Sequence, residues 1–329
     1  MDDHGALRSG DPSGTEPAHG GRLVAAARAW PDAPVPWIDL STGINPHAYA
    51  VPALPAEAWT RLPEPEEIAR LEGTAAVAYG VQPEQVVAAP GTSALIAVLA
   101  RLFPGPASLV GPTYGEYHAL WPAALVVPAP GEAFRSRPVR LLCQPDNPAG
   151  TVHDPAVLAT FAHDGVLVVD ESYADFTPGV SLAPHVLEGR ALVVLRSFGK
   201  AYGLAGLRLG FALGARDLVE RIRRALGPWP VSGPAVRIGV AALADAPWRD
   251  ETSRRLAGDR ARLEALLRRA GFTLLGGTPL FVLARHAAGW NDRLARHGIL
   301  VRSWPDRPGV IRFGIPGPDA WARVAAALA

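Results

Sequence analysis

Lysine occurs once in this chain, at Lys200, although lysine and arginine together number 32. The bland cause is a compositional preference for arginine. Under that preference the exception is informative, because arginine serves wherever only charge is needed. An amine that must lose its proton and attack a carbonyl cannot be arginine, which stays protonated. Lys200 is therefore the first candidate for a nucleophilic amine. It lies in Leu195-Arg196-Ser197-Phe198-Gly199-Lys200-Ala201-Tyr202-Gly203, just after an apolar run, and Leu204-Ala205-Gly206-Leu207-Arg208 follows. Ser197 precedes the amine by one short turn and Arg208 closes the glycine-rich stretch. A hydroxyl and a guanidinium flanking one amine suit a phosphate-bearing aldehyde. The amine takes the carbonyl and its neighbours hold the phosphate.

Upstream, Leu167-Val168-Val169-Asp170-Glu171-Ser172-Tyr173 reads as a buried strand that ends in an acid. Asp170 at such an end suits pairing with a pyridinium nitrogen, whose proton it would retain. Tyr173, and Asn147 in Asp146-Asn147-Pro148-Ala149-Gly150, suit hydrogen bonds to a ring hydroxyl. Gly91-Thr92-Ser93 follows one strand and opens a helix, where exposed amides form an anion cradle. Tyr114, in Pro112-Thr113-Tyr114, suits stacking on a ring. The bland alternatives are helix caps for Asp170, Thr92 and Ser93, and capping is compatible with phosphate binding.

The elements that must position these groups follow from pattern. From about residue 85 short β-branched runs alternate with helical stretches, which predicts a mainly parallel sheet covered by helices. Such sheets bind ligands at the carboxyl ends of their strands. After Pro234 the texture changes to a long amphipathic helix over 248–270 and four short strand runs, the pattern of a smaller α+β domain. The expected organisation is an arm at 1–18 and a segment at 19–48 that serves the small domain and the active site. A large domain at 49–234 and a small domain at 235–329 complete it. The length of 329 residues fits one large domain with a satellite. A net charge of +1 argues against a nucleic-acid partner, and no apolar run approaches a membrane span. Cys143 is the only cysteine, so no disulfide forms within the chain. A cytoplasmic setting is expected, and no metal.

Together, Gly91-Thr92-Ser93, Pro112-Thr113-Tyr114, Asn147-Pro148, Asp170-Glu171-Ser172-Tyr173 and Ser197-Phe198-Gly199-Lys200 followed by Arg208 resemble the fold-type I pyridoxal-phosphate enzymes. The order of the motifs around the single lysine is similar to the histidinol-phosphate aminotransferase-like branch. The resemblance covers the chain from about residue 19 to its end. It implies pyridoxal 5'-phosphate as cofactor, held by Gly91, Thr92, Ser93, Tyr114, Asn147, Asp170, Tyr173, Ser197, Lys200 and Arg208. Lys200, Asp170 and Tyr173 would be the catalytic set. His19-Gly20-Gly21 and Asp39-Leu40-Ser41-Thr42-Gly43-Ile44-Asn45-Pro46 look like the opening of the threonine-phosphate decarboxylases of cobalamin biosynthesis. That group converts L-threonine O-3-phosphate to (R)-1-amino-2-propanol O-2-phosphate. By the same resemblance His19, Gly43, Asn45, Asn147, Arg302 and Arg312 would meet the substrate, and the enzyme would be a homodimer. The rival reading is an aminotransferase that passes an amino group to 2-oxoglutarate.

Two positions depart from the family pattern. Leu62, in Arg61-Leu62-Pro63, stands where a tyrosine usually reaches the neighbouring subunit's cofactor phosphate, and leucine makes no such bond. Arg22 stands where a smaller polar residue is expected. Another enzyme class is weighed as well. Ser197-Phe198-Gly199-Lys200 also fits the S-x-x-K of serine acyl-transferases, but their K-T-G element needs a second lysine.

Overall fold

The computed structural model describes residues 20–287 and 289–329. The expected arm and His19 fall outside the described residues. The chain divides into two compact units, one of residues 47–252 and one in which residues 20–46 join Ser253–Ala329. No helix among the described residues is long and apolar enough to cross a membrane.

Strand β1 (Ile38–Leu40) belongs to the smaller unit. The larger unit holds β2 (Val86–Ala89), β3 (Ala107–Val110), β4 (Leu125–Val127), β5 (Val139–Cys143), β6 (Val166–Asp170), β7 (Leu192–Ser197) and β8 (Gly210–Gly214). They form one sheet in the order β2-β8-β7-β6-β5-β3-β4. β3 to β7 pair in parallel, and β8 runs antiparallel to both of its neighbours. Every residue of β5, β7 and β8 is buried, which is why these strands read as unbroken apolar runs instead of alternating ones. Helix Thr92–Leu102 sinks Leu95, Ile96, Val98 and Leu99 against the sheet at helical spacing. Helix Arg216–Leu226 adds Leu218, Val219 and Ile222 to the same core, with Leu141, Val168, Val193 and Leu195 beneath.

The larger unit runs on to Thr252, past the boundary expected at 234. The cause is packing. Helix Gly233–Ala244 buries Ala235, Val236, Ile238, Ala242 and Leu243 and lies on helix Pro65–Tyr79. Its small, apolar composition changes the texture of the sequence without leaving the unit. The next helix, Ala246–Arg269, crosses the division without a break.

The smaller unit is a second sheet in the order β1-β11-β12-β10-β9, with β9 (Thr273–Thr278), β10 (Phe281–Arg285), β11 (Ile299–Ser303) and β12 (Val310–Gly314). β1 joins β11 in parallel and the remaining pairs are antiparallel. Residues 38–40 thus complete a sheet whose other strands come from the far end of the chain.

Candidate active site

Several strand ends of the larger unit converge. Cys143 lies opposite Asp170, and Asp170 opposite Leu195, so β5, β6 and β7 end side by side. β8 starts at Gly210 between Ala89, the last residue of β2, and Ser197, the last of β7. Gly210 is required by close approach. A Cβ there would stand 2.9 Å from the Thr92 amide nitrogen and 3.0 Å from the Gly91 carbonyl carbon. The first turn of helix Thr92–Leu102 therefore sits on the start of β8, at the edge where Ser197 and Lys200 emerge.

Gly91, the residue before that helix, has φ 90°, a left-handed-side value that disfavours other residues. A Cβ on it would lie 2.6 Å from Arg208 Nη2. Arg208 itself adopts φ 53° and donates from Nη1 to the Ala205 carbonyl at 3.2 Å. Its guanidinium is thereby laid across the N-terminus of an 11-residue helix. That end carries the positive pole of the helix dipole, so a cation beside it is electrostatically unfavourable without an anion between them. Thr92 and Ser197 are buried next to it. The arrangement fits a phosphate group.

Asp170 is buried and held at both oxygens. Tyr117 donates its hydroxyl to Oδ2 at 2.8 Å, and the Ser172 amide donates to Oδ1 at 2.9 Å. Burial, then the charge of Asp170, pushes the Tyr117 hydroxyl well above its ordinary pKa, so it stays a donor. Tyr114 meets Tyr117 edge to face, with ring centroids 5.9 Å apart, and its hydroxyl bonds Ser93. Lys200, half-buried in the short helix Phe198–Ala201, holds its Nζ 5.1 Å from the centre of the buried Tyr173 ring. Asn147 sits in a turn anchored below Asp170. The Gln144 amide donates to the Asp170 carbonyl at 2.9 Å, and the Gln144 side chain donates to the His153 carbonyl at 2.6 Å. Thr113 Oγ1 lies 3.3 Å from Cys143 Sγ. Burial pushes that thiol up to about 12, with Asp170 adding to the shift. The larger unit thus gathers Gly91, Thr92, Ser93, Tyr114, Asp170, Tyr173, Ser197, Lys200 and Arg208 at the strand ends, with Asn147 on the loop after β5.

Two groups here were not read from the sequence. Tyr117 is one; its place on the helix one turn after Tyr114 is the only signal that points to it. The other is a stack of rings flanking Lys200. Tyr202 lies parallel to Phe198 at 4.3 Å and to Trp248 at 5.2 Å, with Tyr49 edge-on to both Tyr202 and Trp248.

In the smaller unit β11 and β12 place Arg302 directly opposite Arg312. Residues paired in this way present side chains on one face, and like charges there repel. Arg312 is buried; its Nη2 donates to the Ser41 carbonyl at 2.6 Å, and its guanidinium lies 5.1 Å from the Phe281 ring centre. Arg302 is half-buried. Burial, then the charge of Arg312, lowers its pKa. Ser41 is itself fixed by Asp39 Oδ1, which accepts from the Ser41 amide at 2.8 Å and the Ser41 hydroxyl at 2.6 Å. Gly43 and Asn45 follow, both buried, with Gly43 at φ 64°. The unit therefore brings Arg302, Arg312 and the segment of Gly43 and Asn45 into one region. Arg22 is exposed and Leu62, in the larger unit, is exposed as well.

Residues 128–327 match the family described as aminotransferase class I and II. The chain belongs to this family. It is 42% identical to a threonine-phosphate decarboxylase of Pseudomonas aeruginosa over 325 residues, covering 94% of this chain and 96% of that one. Identity to a histidinol-phosphate aminotransferase of Sinorhizobium fredii is 30%, covering 82% of this chain and 81% of that one. Among solved structures, the histidinol-phosphate aminotransferase of Sinorhizobium meliloti in complex with pyridoxal-5'-phosphate shares the fold. Its TM-score is 0.78, at 23% identity, with 98% of this chain and 97% of that chain covered.

Proposed function

We propose that the chain is a pyridoxal-phosphate-dependent decarboxylase of L-threonine O-3-phosphate, acting in cobalamin biosynthesis and releasing (R)-1-amino-2-propanol O-2-phosphate. The observation that carries this reading is likeness to a threonine-phosphate decarboxylase at 42% over nearly the full length of both chains, against 30% for the aminotransferase. The cradle supports the cofactor. Arg208 beside a helix N-terminus asks for a phosphate, and the only lysine of the chain follows the strand end of Ser197, which pairs with the start of β8.

Each side chain then has a task. Gly91, Thr92, Ser93, Ser197 and Arg208 hold the cofactor phosphate. Lys200 would hold the cofactor covalently, its Nζ bonding the aldehyde carbon as the aldehyde oxygen leaves as water. Asp170, whose carboxylate is fixed by Tyr117 and the Ser172 amide, would accept a hydrogen bond from the ring nitrogen and keep the proton there. Tyr173 and Asn147 would bond the ring hydroxyl, and Tyr114 would cover the ring. When bound, pyridoxal phosphate supplies an electron sink for the pair released as carbon dioxide leaves. By the resemblance, Arg312 would hold the substrate carboxylate and Arg302, with His19, the substrate phosphate, with Gly43, Asn45 and Asn147 as further substrate-binding residues. The doubly anionic substrate also answers the repulsion between the two arginines. Lys200 would be the proton donor to the carbon that loses the carboxylate.

The same reading makes the enzyme a cytoplasmic homodimer. Trp59, Leu62 and Trp229 are more than half exposed on the larger unit, and a dimer face would cover such side chains. The test is to incubate the purified protein with threonine phosphate and measure carbon dioxide, with histidinol phosphate and 2-oxoglutarate in parallel. Release of carbon dioxide supports the decarboxylase; glutamate formation without it makes the chain an aminotransferase.

A further inference from the structure

β6 and β7 run parallel with Asp170 opposite Leu195. Side chains alternate across a sheet, so Asp170, Leu195 and Ser197 share one face and Arg196 takes the other. The Glu171 amide donates to the Leu195 carbonyl at 2.9 Å. The ladder therefore continues one residue past β6, and Glu171 joins Arg196 on the far face. There Arg196 Nη1 lies 2.7 Å from Glu171 Oε2, and Nη2 lies 2.8 Å from Asp175 Oδ1. These charged side chains are at most 8% exposed. Ser181 Oγ and the Leu182 amide each donate to Glu171 at 2.6 Å. The guanidinium covers the Tyr79 ring at 4.6 Å.

As a source of stability this cluster is poor. Two carboxylates share one guanidinium, the Asp175 Oδ2 atom finds no hydrogen-bond partner, and buried ion pairs seldom repay their desolvation. Burial pushes the Glu171 carboxyl up in pKa, so it relies on its three donors to stay charged. What a planar fork does well is fix geometry on two sides at once, which lysine does not do. One side is the loop that follows Asp170. The other is β7, whose next residues are Ser197 and the turn of Lys200.

We propose that Arg196 is a positioning residue: by bridging Glu171 and Asp175 it locks the end of the Asp170 strand to the turn that carries Lys200, from the face opposite the Asp170 carboxylate. This rests on Lys200 and Asp170 being the groups that hold pyridoxal phosphate. The clamp touches neither substrate nor cofactor; it sets the distance between the two residues that do.

Glu171→Gln and Asp175→Asn keep shape and remove one charge each, and are the variants to make. Three properties are measured: hydrogen exchange of residues 195–207 without cofactor, the pH midpoint of the visible band of the loaded enzyme, and the kcat and KM of decarboxylation. Exchange across the Lys200 turn should speed up roughly tenfold. The band midpoint should move. The kcat should fall by about a hundredfold, the cost of a small misplacement, with KM within about threefold. Variants that melt lower but keep parental exchange, midpoint and kcat would show a merely structural pair and overturn the proposal. If Glu171→Gln fails to fold, Asp175→Asn carries the same readouts with the Arg196–Glu171 pair left in place. A parent without a visible band sinks the cofactor reading instead, and the exchange measurement, which needs no cofactor, still decides the clamp.

Discussion

Arg208 of the larger unit and the Arg302–Arg312 pair of the smaller one set positive charge beside positive charge by different means. Arg208 is exposed, in a left-handed backbone conformation, and is held by its own loop against the N-terminus of a helix. The charge it opposes is a dipole end, of about half a unit. Arg312 is buried, bonded to Ser41, and faces a second full cation across a strand pair. The first site is built by backbone, through glycines that let an arginine lie on a helix start. The second is built by strand register. A site made of backbone amides suits a ligand that stays. A pair of opposed arginines, set by strand register, suits a ligand with two anionic groups.

The comparison breaks most sharply at Lys200. Lys200→Ala should abolish turnover and the visible absorbance of the attached cofactor. A borohydride-reducible attachment in that variant would falsify the assignment, since the chain offers no other lysine. Asp170→Ala should keep the attachment and slow turnover by several orders of magnitude, through loss of the ring nitrogen's proton. A rate within about tenfold of the parent would make Asp170 a structural group only.

The two anion sites then separate by what they bind. Arg302→Gln should raise the KM for threonine phosphate by roughly tenfold to a hundredfold, with cofactor affinity unchanged. It should also raise the melting temperature of the unliganded protein slightly, because opposed like charges cost about 0.2–1 kcal/mol. A lower melting temperature would mean that the pair is not strained. Gly91→Ala should do the reverse. Strain at its φ, with a Cβ driven into Arg208, should weaken cofactor binding by about tenfold and leave KM nearly unchanged in protein saturated with cofactor. Equal cofactor affinity in the two proteins would remove Arg208 from the cradle.

The smallest effect is at Cys143. Its thiol holds its proton up to about 12 in the fold, against 9.0 for an ordinary thiol. The folded state therefore binds that proton more tightly than the unfolded chain. The contribution is fully present below the ordinary value and is lost as pH rises towards about 12. Native protein at neutral pH should be alkylated no faster than it unfolds. Rapid labelling would show that the end of β5 is open to solvent.

Much of this protein was legible in its sequence because the deciding signals are local. The strands of the larger sheet declare themselves as apolar runs, since both of their faces are covered. The composition that leaves a single lysine draws attention to Lys200. Glycine before a helix signals the tight approach of Arg208 to that helix start, because the demand of a close approach falls on one residue. Other features depend on which strands become neighbours, and at what register. Tyr117 reaches Asp170 across 53 positions, and Arg196 reaches Glu171 across 25. The facing of Arg302 and Arg312 needs β11 and β12 to pair at one offset, and a slip of one residue would turn one of them away. The end of the larger unit at Thr252 was decided by where helix Gly233–Ala244 packs, not by its composition. A side chain's chemistry and the period of its element are written along the chain. Its partner is set only when distant segments close on one another, and that closure is a property of the folded core.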